Sequence, residues 1–194
     1  FKMSAETYHI LENFPTEILQ GLQQCWKDND WAEVKDIYKS KFFHYVLDSS
    51  HPFYNNFPNC TKIEFYNQIP GVLNSPHLDR GRYCAINLPI EVDFENSYFF
   101  IGKHFLLKKY EFEDRNLETD AYHHKSTLKG PIGFYLWDDN LMEKYNLKRP
   151  VVFSTKVPHG GVNTDSKTRR VIASVGYADY TYEQVLNMIS PEWF

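Results

Sequence analysis

Two metal-binding side chains, His77 and Asp79, are separated by a single residue, and a third candidate, His159, follows much later in the chain. Residues two apart point to the same side only in an extended segment. His77 and Asp79 can therefore hold one ion together only if this stretch is a strand or the end of a strand. Two imidazoles and one carboxylate on one face of a metal leave other coordination positions open.

The segments around these residues have the composition of strands. Residues 83–90 form a β-type run with little helical periodicity, and residues 74–76 favour a turn before it. Residues 151–154 and 169–177 are further β-branched and apolar runs, and His159 lies between them. The three candidate ligands are therefore predicted on or beside strands.

Arg170 opens a strand that otherwise has the composition of a buried one. A guanidinium is almost never buried without an anionic partner. If Arg170 points inward, Ile172, Ser174 and Gly176 point inward with it. No acidic residue on the neighbouring predicted strands is an obvious partner, so a bound dicarboxylate would fit a bidentate guanidinium.

His77-x-Asp79, a distal His159 and an arginine at the head of the last strand together resemble the Fe(II)/2-oxoglutarate-dependent oxygenases, and prolyl- and aspartyl-type hydroxylases in particular. The resemblance implies a mainly β fold with flanking helices, the double-stranded β-helix, which is a jelly-roll or cupin-like barrel. It implies Fe(II) and 2-oxoglutarate as cofactors, with His77, Asp79 and His159 as the metal ligands. It also implies that Arg170 binds the distal carboxylate of 2-oxoglutarate.

The last strand departs from this family pattern at one position. Many members carry a serine two residues after the arginine, where this chain has isoleucine. Ser174 is the nearest hydroxyl on the same face, and Tyr66 or Tyr83 on another strand could supply the hydroxyl instead. Arg169 is a rival to Arg170 for the cofactor, and Arg170 is preferred because it directly adjoins the apolar alternation.

Further polar residues near the ligands allow more than one role. Arg82 and Asn87 follow the first two ligands, where contact with 2-oxoglutarate or substrate and a purely structural role are both open. Asn163 is a candidate partner that orders the loop of His159. His123 and His124 are adjacent, so on a strand they would point apart and at most one could reach the metal. Solvent-exposed or substrate-facing positions are the expectation for this pair.

The chain of 194 residues fits one domain, with a helical front at about 15–40 and a barrel at about 60–178. Thr16 is the predicted N-cap of the first helix. A second short helix is predicted over residues 31–38, and residues 182–189 are predicted to close the chain as a helix.

The middle of the chain is predicted to be partly irregular. Residues 97–110 have the pattern of a hairpin that turns at Gly102 and Lys103, and residues 134–137 have the pattern of a strand. Residues 111–130 are polar and poorly periodic, and such long segments are usually functional or mobile. A lid over the site is predicted there.

Composition excludes several functional classes. The formal net charge of −4 argues against a broad nucleic-acid-binding surface. The sequence contains no apolar run long enough to span a membrane. Cys25, Cys60 and Cys84 are odd in number and lack metal-site spacing, which fits reduced thiols. Because the first residues also lack a signal-peptide pattern, a cytoplasmic location is expected.

The predicted activity is oxygenation that depends on Fe(II), 2-oxoglutarate and O2. Hydroxylation of a C–H bond in an amino acid or a protein side chain is the first hypothesis, and the substrate is small or peptidyl. The alternative is a cupin-type metal-binding protein or isomerase without 2-oxoglutarate, which Arg170 argues against. A third hypothesis is a structural jelly roll that binds nothing. The sequence contains no signal for the oligomeric state.

Overall fold

Strands form most of the regular structure in the computed structural model, which describes residues 7–36, 42–79, 81–102 and 142–194. The described strands are β1 (Tyr8–Ile10), β2 (Glu33–Asp36), β3 (Phe42–Val46), β4 (Lys62–Gln68), β5 (Val72–His77), β6 (Cys84–Glu91), β7 (Tyr98–Gly102), β8 (Met142–Tyr145), β9 (Val151–Ser154), β10 (His159–Asn163) and β11 (Arg170–Tyr177). The helices are α1 (Thr16–Asp28) and α2 (Tyr182–Met188), with short 3-10 helices at Pro52–Asn56 and Pro191–Trp193.

These strands form two antiparallel sheets. The larger sheet has seven strands in the order β1-β9-β6-β11-β4-β3-β2, and the smaller has four in the order β5-β10-β7-β8. Aromatic residues pack between the sheets: the ring centroids of Phe99 on β7 and Phe153 on β9 are 4.8 Å apart. The predicted fold class, a mainly β double-stranded β-helix with flanking helices, is confirmed.

Strand β11 lies in the middle of the larger sheet, and all eight of its residues are buried. Val171, Ala173 and Val175 belong to the core that also contains Leu22 and Trp26 of α1. Ile172, on the opposite face, packs in the core between the two sheets. This alternation turns Arg170 toward the smaller sheet, because residues two apart on a strand share a face.

The helical front ends earlier than predicted. Thr16 is the first residue of α1, and its N-cap is Pro15, which makes no side-chain cap hydrogen bond. The helix predicted over residues 31–38 is wrong: Glu33–Asp36 form β2, an edge strand whose four residues are all exposed and pair with β3. An exposed edge strand has no buried face, so its sequence lacks the apolar alternation that would identify it.

Three described strands lie before residue 60, the predicted start of the barrel. They are β1, β2 and β3, and they belong to the seven-stranded sheet. Helix α2 begins at Tyr182 as predicted, with Thr181 and Gln184 forming a capping box. No helix of the described residues has the length and apolar character needed to cross a bilayer.

Several predictions for the middle of the chain lie outside the described residues. They are the hairpin turn after Gly102, the lid at 111–130 with His123 and His124, and the strand at 134–137. Together with the single-domain assignment of 1–194, they stay predictions.

Two valines test whether the core beneath α1 holds the fold. Val175 on β11 is fully buried, whereas Val34 on β2 is 48% exposed. We expect Val175→Ala to lower the free energy of unfolding by about 2 kcal/mol, because it removes buried methyl groups and leaves a cavity. The same substitution at Val34 should change it by less than about 0.5 kcal/mol. Denaturant unfolding of both variants measures the difference, and equal losses would contradict the assigned core.

Candidate active site

The pairing of β5 with β10 brings two histidines together. His77 is the last residue of β5 and lies directly opposite His159, the first residue of β10. Their ring centroids are 4.6 Å apart, and both side chains are buried. Strand β7 pairs with the other edge of β10, so His159 is held between two neighbours.

Asp79 joins the two histidines from the segment that follows β5. Its backbone N–H donates to the carbonyl of Thr155, and its carbonyl accepts from Lys156 Nζ. Its carboxylate lies with Oδ1 3.4 Å from His77 Nε2 and Oδ2 3.5 Å from His159 Nε2. One ligand atom from each of the three residues lies within 4.8 Å of the others. The strand end that the sequence requires for this geometry is therefore present.

The His159 ring has a defined orientation. Its Nδ1 is 2.9 Å from the carbonyl oxygen of Val157, so Nδ1 carries the hydrogen and donates it. Nε2 is then the lone-pair nitrogen, and it has no hydrogen-bond partner among the described residues. Burial lowers the pKa of His159, which keeps the ring neutral near pH 7. A neutral imidazole with a free Nε2 is the form that binds a metal ion.

Asp79 is ionised at this position. Burial raises the pKa of its carboxyl group, but the positive charge of Arg82 outweighs it and holds the pKa well below the usual range. Arg82 Nε donates to Asp79 Oδ2 at 2.5 Å. Arg82 Nη1 donates to Ser174 Oγ at 2.8 Å. The Ser174 hydroxyl oxygen is therefore the acceptor of a hydrogen bond from Arg82.

Arg170 is buried with little to neutralise its charge. Nη1 is 3.4 Å from Gln68 Oε1, while Nε and Nη2 have no hydrogen-bond partner among the described residues. Burial lowers the pKa of Arg170 to about 10, so it still carries its charge at pH 7. Gly161 on β10 leaves room for it, since a Cβ there would lie 2.7 Å from Arg170 Nη1. The guanidinium is therefore a buried cation without an anionic partner among the described residues.

One cavity connects these groups. Its lining includes His77, His159, Arg82, Asn87 and Arg170. His77, His159 and Arg170, which the sequence analysis assigned to one site, line this cavity, whereas Asp79 lines a neighbouring one. The cavity has two imidazoles near one part of its wall and a buried, charged guanidinium in another part. A ligand with both a metal-chelating group and a carboxylate would satisfy both.

The remaining candidates lie elsewhere or have other partners. Arg169 is half exposed and forms an ion pair with Glu91, so of these two adjacent arginines it is Arg170 that faces the cavity. Tyr83 is half exposed and does not line the cavity; its ring lies beneath Lys156 Nζ. Tyr66 lines the cavity, but its hydroxyl donates to Glu64 Oε2.

Gln68 is a residue that sequence reasoning missed. It is fully buried opposite Arg170 across the β4–β11 pair, and its amide donates to the carbonyls of Val72 and Gly161. The Asn163 amide donates to the carbonyls of Gln68 and Thr168, so it holds the turn between β10 and β11 instead of the loop of His159. Gln68 could have been identified only from the pairing of β4 with β11, which places it opposite Arg170. A single glutamine in a sequence does not indicate how two strands pair.

A second group of potential ligands among the described residues consists of Cys25, Asp30 and His51. His51 Nδ1 accepts from the backbone N–H of Phe53, so Nε2 carries the proton and donates to Asp30 Oδ2. Burial and the neighbouring Asp30 raise the pKa of Cys25 to about 11, so the sulfur is a thiol at pH 7. The His51 ring therefore has no unoccupied lone pair, and Cys25 is not a thiolate. We assign this cluster a structural role.

Comparison with known proteins identifies the fold. No protein-family model matches the sequence, and no curated protein matches it. Similar solved structures include the epimerase SnoN with Fe3+, alpha ketoglutarate and nogalamycin RO (TM-score 0.59, 10% identity, 90% of this chain and 80% of that one). Another is HygX from Streptomyces hygroscopicus with nickel, 2-oxoglutarate and hygromycin B (TM-score 0.53, 9% identity, 92% of this chain and 86% of that one). A third is a prolyl-4-hydroxylase from Pseudomonas putida (TM-score 0.50, 12% identity, 90% of this chain and 92% of that one).

At these identities the likeness establishes architecture, and it covers at least 80% of each chain. Two of the three structures contain iron or nickel together with 2-oxoglutarate. The chain therefore has the double-stranded β-helix fold of these proteins.

Proposed function

We propose that this protein is an Fe(II)- and 2-oxoglutarate-dependent oxygenase that hydroxylates a C–H bond of an amino acid or a protein side chain. His77, Asp79 and His159 are the proposed iron ligands, and Arg170 is the proposed partner of the distal carboxylate of 2-oxoglutarate. The observation that carries the proposal is the buried Arg170 guanidinium, which shares one cavity with the two histidines.

The donor set fits iron. Two imidazole nitrogens and one carboxylate oxygen are the facial set of non-haem Fe(II) oxygenases, which leaves positions open for cosubstrate and O2. When bound, the iron and 2-oxoglutarate supply the oxidising chemistry, and the protein supplies binding and orientation. The Val157 carbonyl fixes which nitrogen of His159 faces the ion, and Arg82 fixes the Asp79 carboxylate.

The Arg170 environment fits a dicarboxylate. Leaving a charge unpaired in a buried site costs several kcal/mol, so a guanidinium held there is expected to gain its partner from a ligand. A carboxylate can accept two parallel hydrogen bonds from such a group. Gly161 and Gln68 keep the guanidinium in position without neutralising it. The cupin-type alternative gives no reason for this buried charge.

The walls beside the proposed iron ligands are apolar. The Phe153 ring centroid is 5.0 Å from that of His159, and Phe99 packs against Phe153. Aromatic walls exclude water and strengthen the charge interactions inside the cavity. SnoN has this fold and is an epimerase, so product analysis is the measurement that separates hydroxylation from other outcomes.

Replacing a proposed ligand should abolish iron binding. We expect His159→Ala to weaken Fe(II) binding by at least about 100-fold, because only two protein ligands remain. Anaerobic titration with Fe(II), followed by 2-oxoglutarate, should give a weak visible charge-transfer band in the wild type and none in the variant. His9→Ala is the matched control, since His9 lies on β1 against Phe194. An unchanged band in His159→Ala would refute the ligand assignment.

The two adjacent arginines offer a matched test of cofactor binding. We expect Arg170→Met to weaken 2-oxoglutarate binding by roughly 2–5 kcal/mol, the usual effect of removing one partner of a buried charge pair. Arg169→Met should leave it unchanged, because Arg169 is paired with Glu91 at the surface. Calorimetric titration of 2-oxoglutarate into the metal-loaded protein measures both. Equal effects at the two positions would contradict the proposed cofactor site.

Arg170→Met should also change the thermal stability of the ligand-free protein, and here we expect an increase. Arg170 is buried without a carboxylate partner among the described residues, so its charge destabilises the empty fold. We expect Arg170→Met to raise the thermal midpoint when 2-oxoglutarate is absent, and to lose the further stabilisation that 2-oxoglutarate gives the wild type. Thermal melts with and without the dicarboxylate check both effects. A destabilised empty variant would show that Arg170 is part of the fold and has a protein partner.

A further inference from the structure

A second cavity, of about 230 Å³, lies on the other side of Arg82. Arg82 and Tyr66 line both cavities, while Asp79 lines the second and His77 and His159 line the first. The two cavities are therefore neighbours, and the proposed iron ligands line one or the other. If the first cavity takes 2-oxoglutarate, the second is a separate space that still reaches the proposed ligand Asp79.

The second cavity contains a buried carboxylate, that of Glu64 on β4. The residue is 9% exposed, and its Oε2 accepts a hydrogen bond from the Tyr66 hydroxyl at 3.0 Å. Burial raises the pKa of Glu64, but the hydrogen bond and charge of Lys62 and the charge of Arg82 lower it. Glu64 is therefore an anion that is fixed in the cavity wall.

Within the part of the chain that the structure describes, three basic groups lie near Glu64, and two of them are unsuitable as counter-ions. Burial lowers the pKa of His44 to about 3, so this ring is neutral at pH 7. Arg82 is already bonded to Asp79 and Ser174. Only Lys62 remains, with Nζ 2.6 Å from Glu64 Oε1.

Lys62 is a counter-ion that can leave. Its side chain is 40% exposed, and an ammonium on a flexible four-carbon stem is strongly hydrated. Moving it into water therefore costs little, whereas the buried Glu64 must keep a cation close by. A ligand ammonium that enters the cavity can take the place of Lys62 beside Oε1.

We propose that this cavity binds a substrate that carries a protonated amine, with Glu64 as the counter-ion of the amine and Lys62 as the group it displaces. The inference rests on the proposed function, since it assigns the cavity to the substrate of the iron site. An anionic group would meet the carboxylates of Glu64 and Asp79, and the two cations of the lining, Lys62 and Arg82, are already paired with them. A neutral group would have to displace Lys62 without replacing its charge.

The test uses cadaverine as the amine probe and pentanediol as its neutral match. Calorimetry on the full chain, anaerobic and loaded with Fe(II) and 2-oxoglutarate, should show that cadaverine binds and pentanediol does not. We expect Glu64→Gln to weaken cadaverine binding by about tenfold, the effect of roughly 1.4 kcal/mol. Glu91→Gln is the control, since Glu91 pairs with Arg169 away from the cavity.

The Lys62→Met variant tests the proposal by the direction in which cadaverine affinity changes. Because Lys62 competes with the amine for Glu64, its removal should strengthen cadaverine binding by about tenfold. Weaker or unchanged binding in this variant, or equal binding of pentanediol, would overturn the proposal. Absence of cadaverine binding in a wild-type sample that binds Fe(II) and 2-oxoglutarate would overturn it too, with the proposed function intact. Conversely, a sample that binds cadaverine and not 2-oxoglutarate would refute the proposed function and support the amine site.

Discussion

The register between β5 and β10 is the constraint on which the candidate site depends. It places His77 opposite His159 at the point where β5 ends, so the next residues can turn Asp79 back toward both rings. A shift of one residue would send one histidine to the other face of the sheet. Gln68 helps to fix this register, because its amide bonds to β10 at Gly161 and to the start of β5 at Val72. The same side chain contacts Arg170, so one glutamine links the register to the proposed cofactor site.

Charge is distributed unevenly through the interior. Asp79 is paired with Arg82, and Glu64 with Lys62, whereas the one hydrogen bond of the Arg170 side chain among the described residues is a long one to the Gln68 amide. Buried charges are costly unless they are paired, and proteins accept that cost mainly where function requires it. The unpaired guanidinium is therefore more informative than the paired ones.

Sequence reasoning succeeded where a residue type and its strand period acted together. The alternation after Arg170 indicated its inward direction, and the spacing of His77 and Asp79 required a strand end; both are present in the structure. It failed where no periodic signal exists. Strand β2 is exposed along its whole length, and its charged residues gave no sign of a sheet. The partners of Ser174 and Tyr66 depend on which long side chain reaches them across the cavity, which spacing along a chain does not encode.

The hydrogen bond from His159 Nδ1 goes to a main-chain carbonyl, two residues earlier. Every amino acid has that carbonyl, so the tautomer of this ring is determined by the path of the backbone from Val157 through Pro158. Alanine scanning would therefore find no side chain that accepts the hydrogen bond orienting the imidazole, although it would test the path of the backbone at Pro158. Only a change that reroutes this peptide, such as loss of the proline that restricts it, would release the ring.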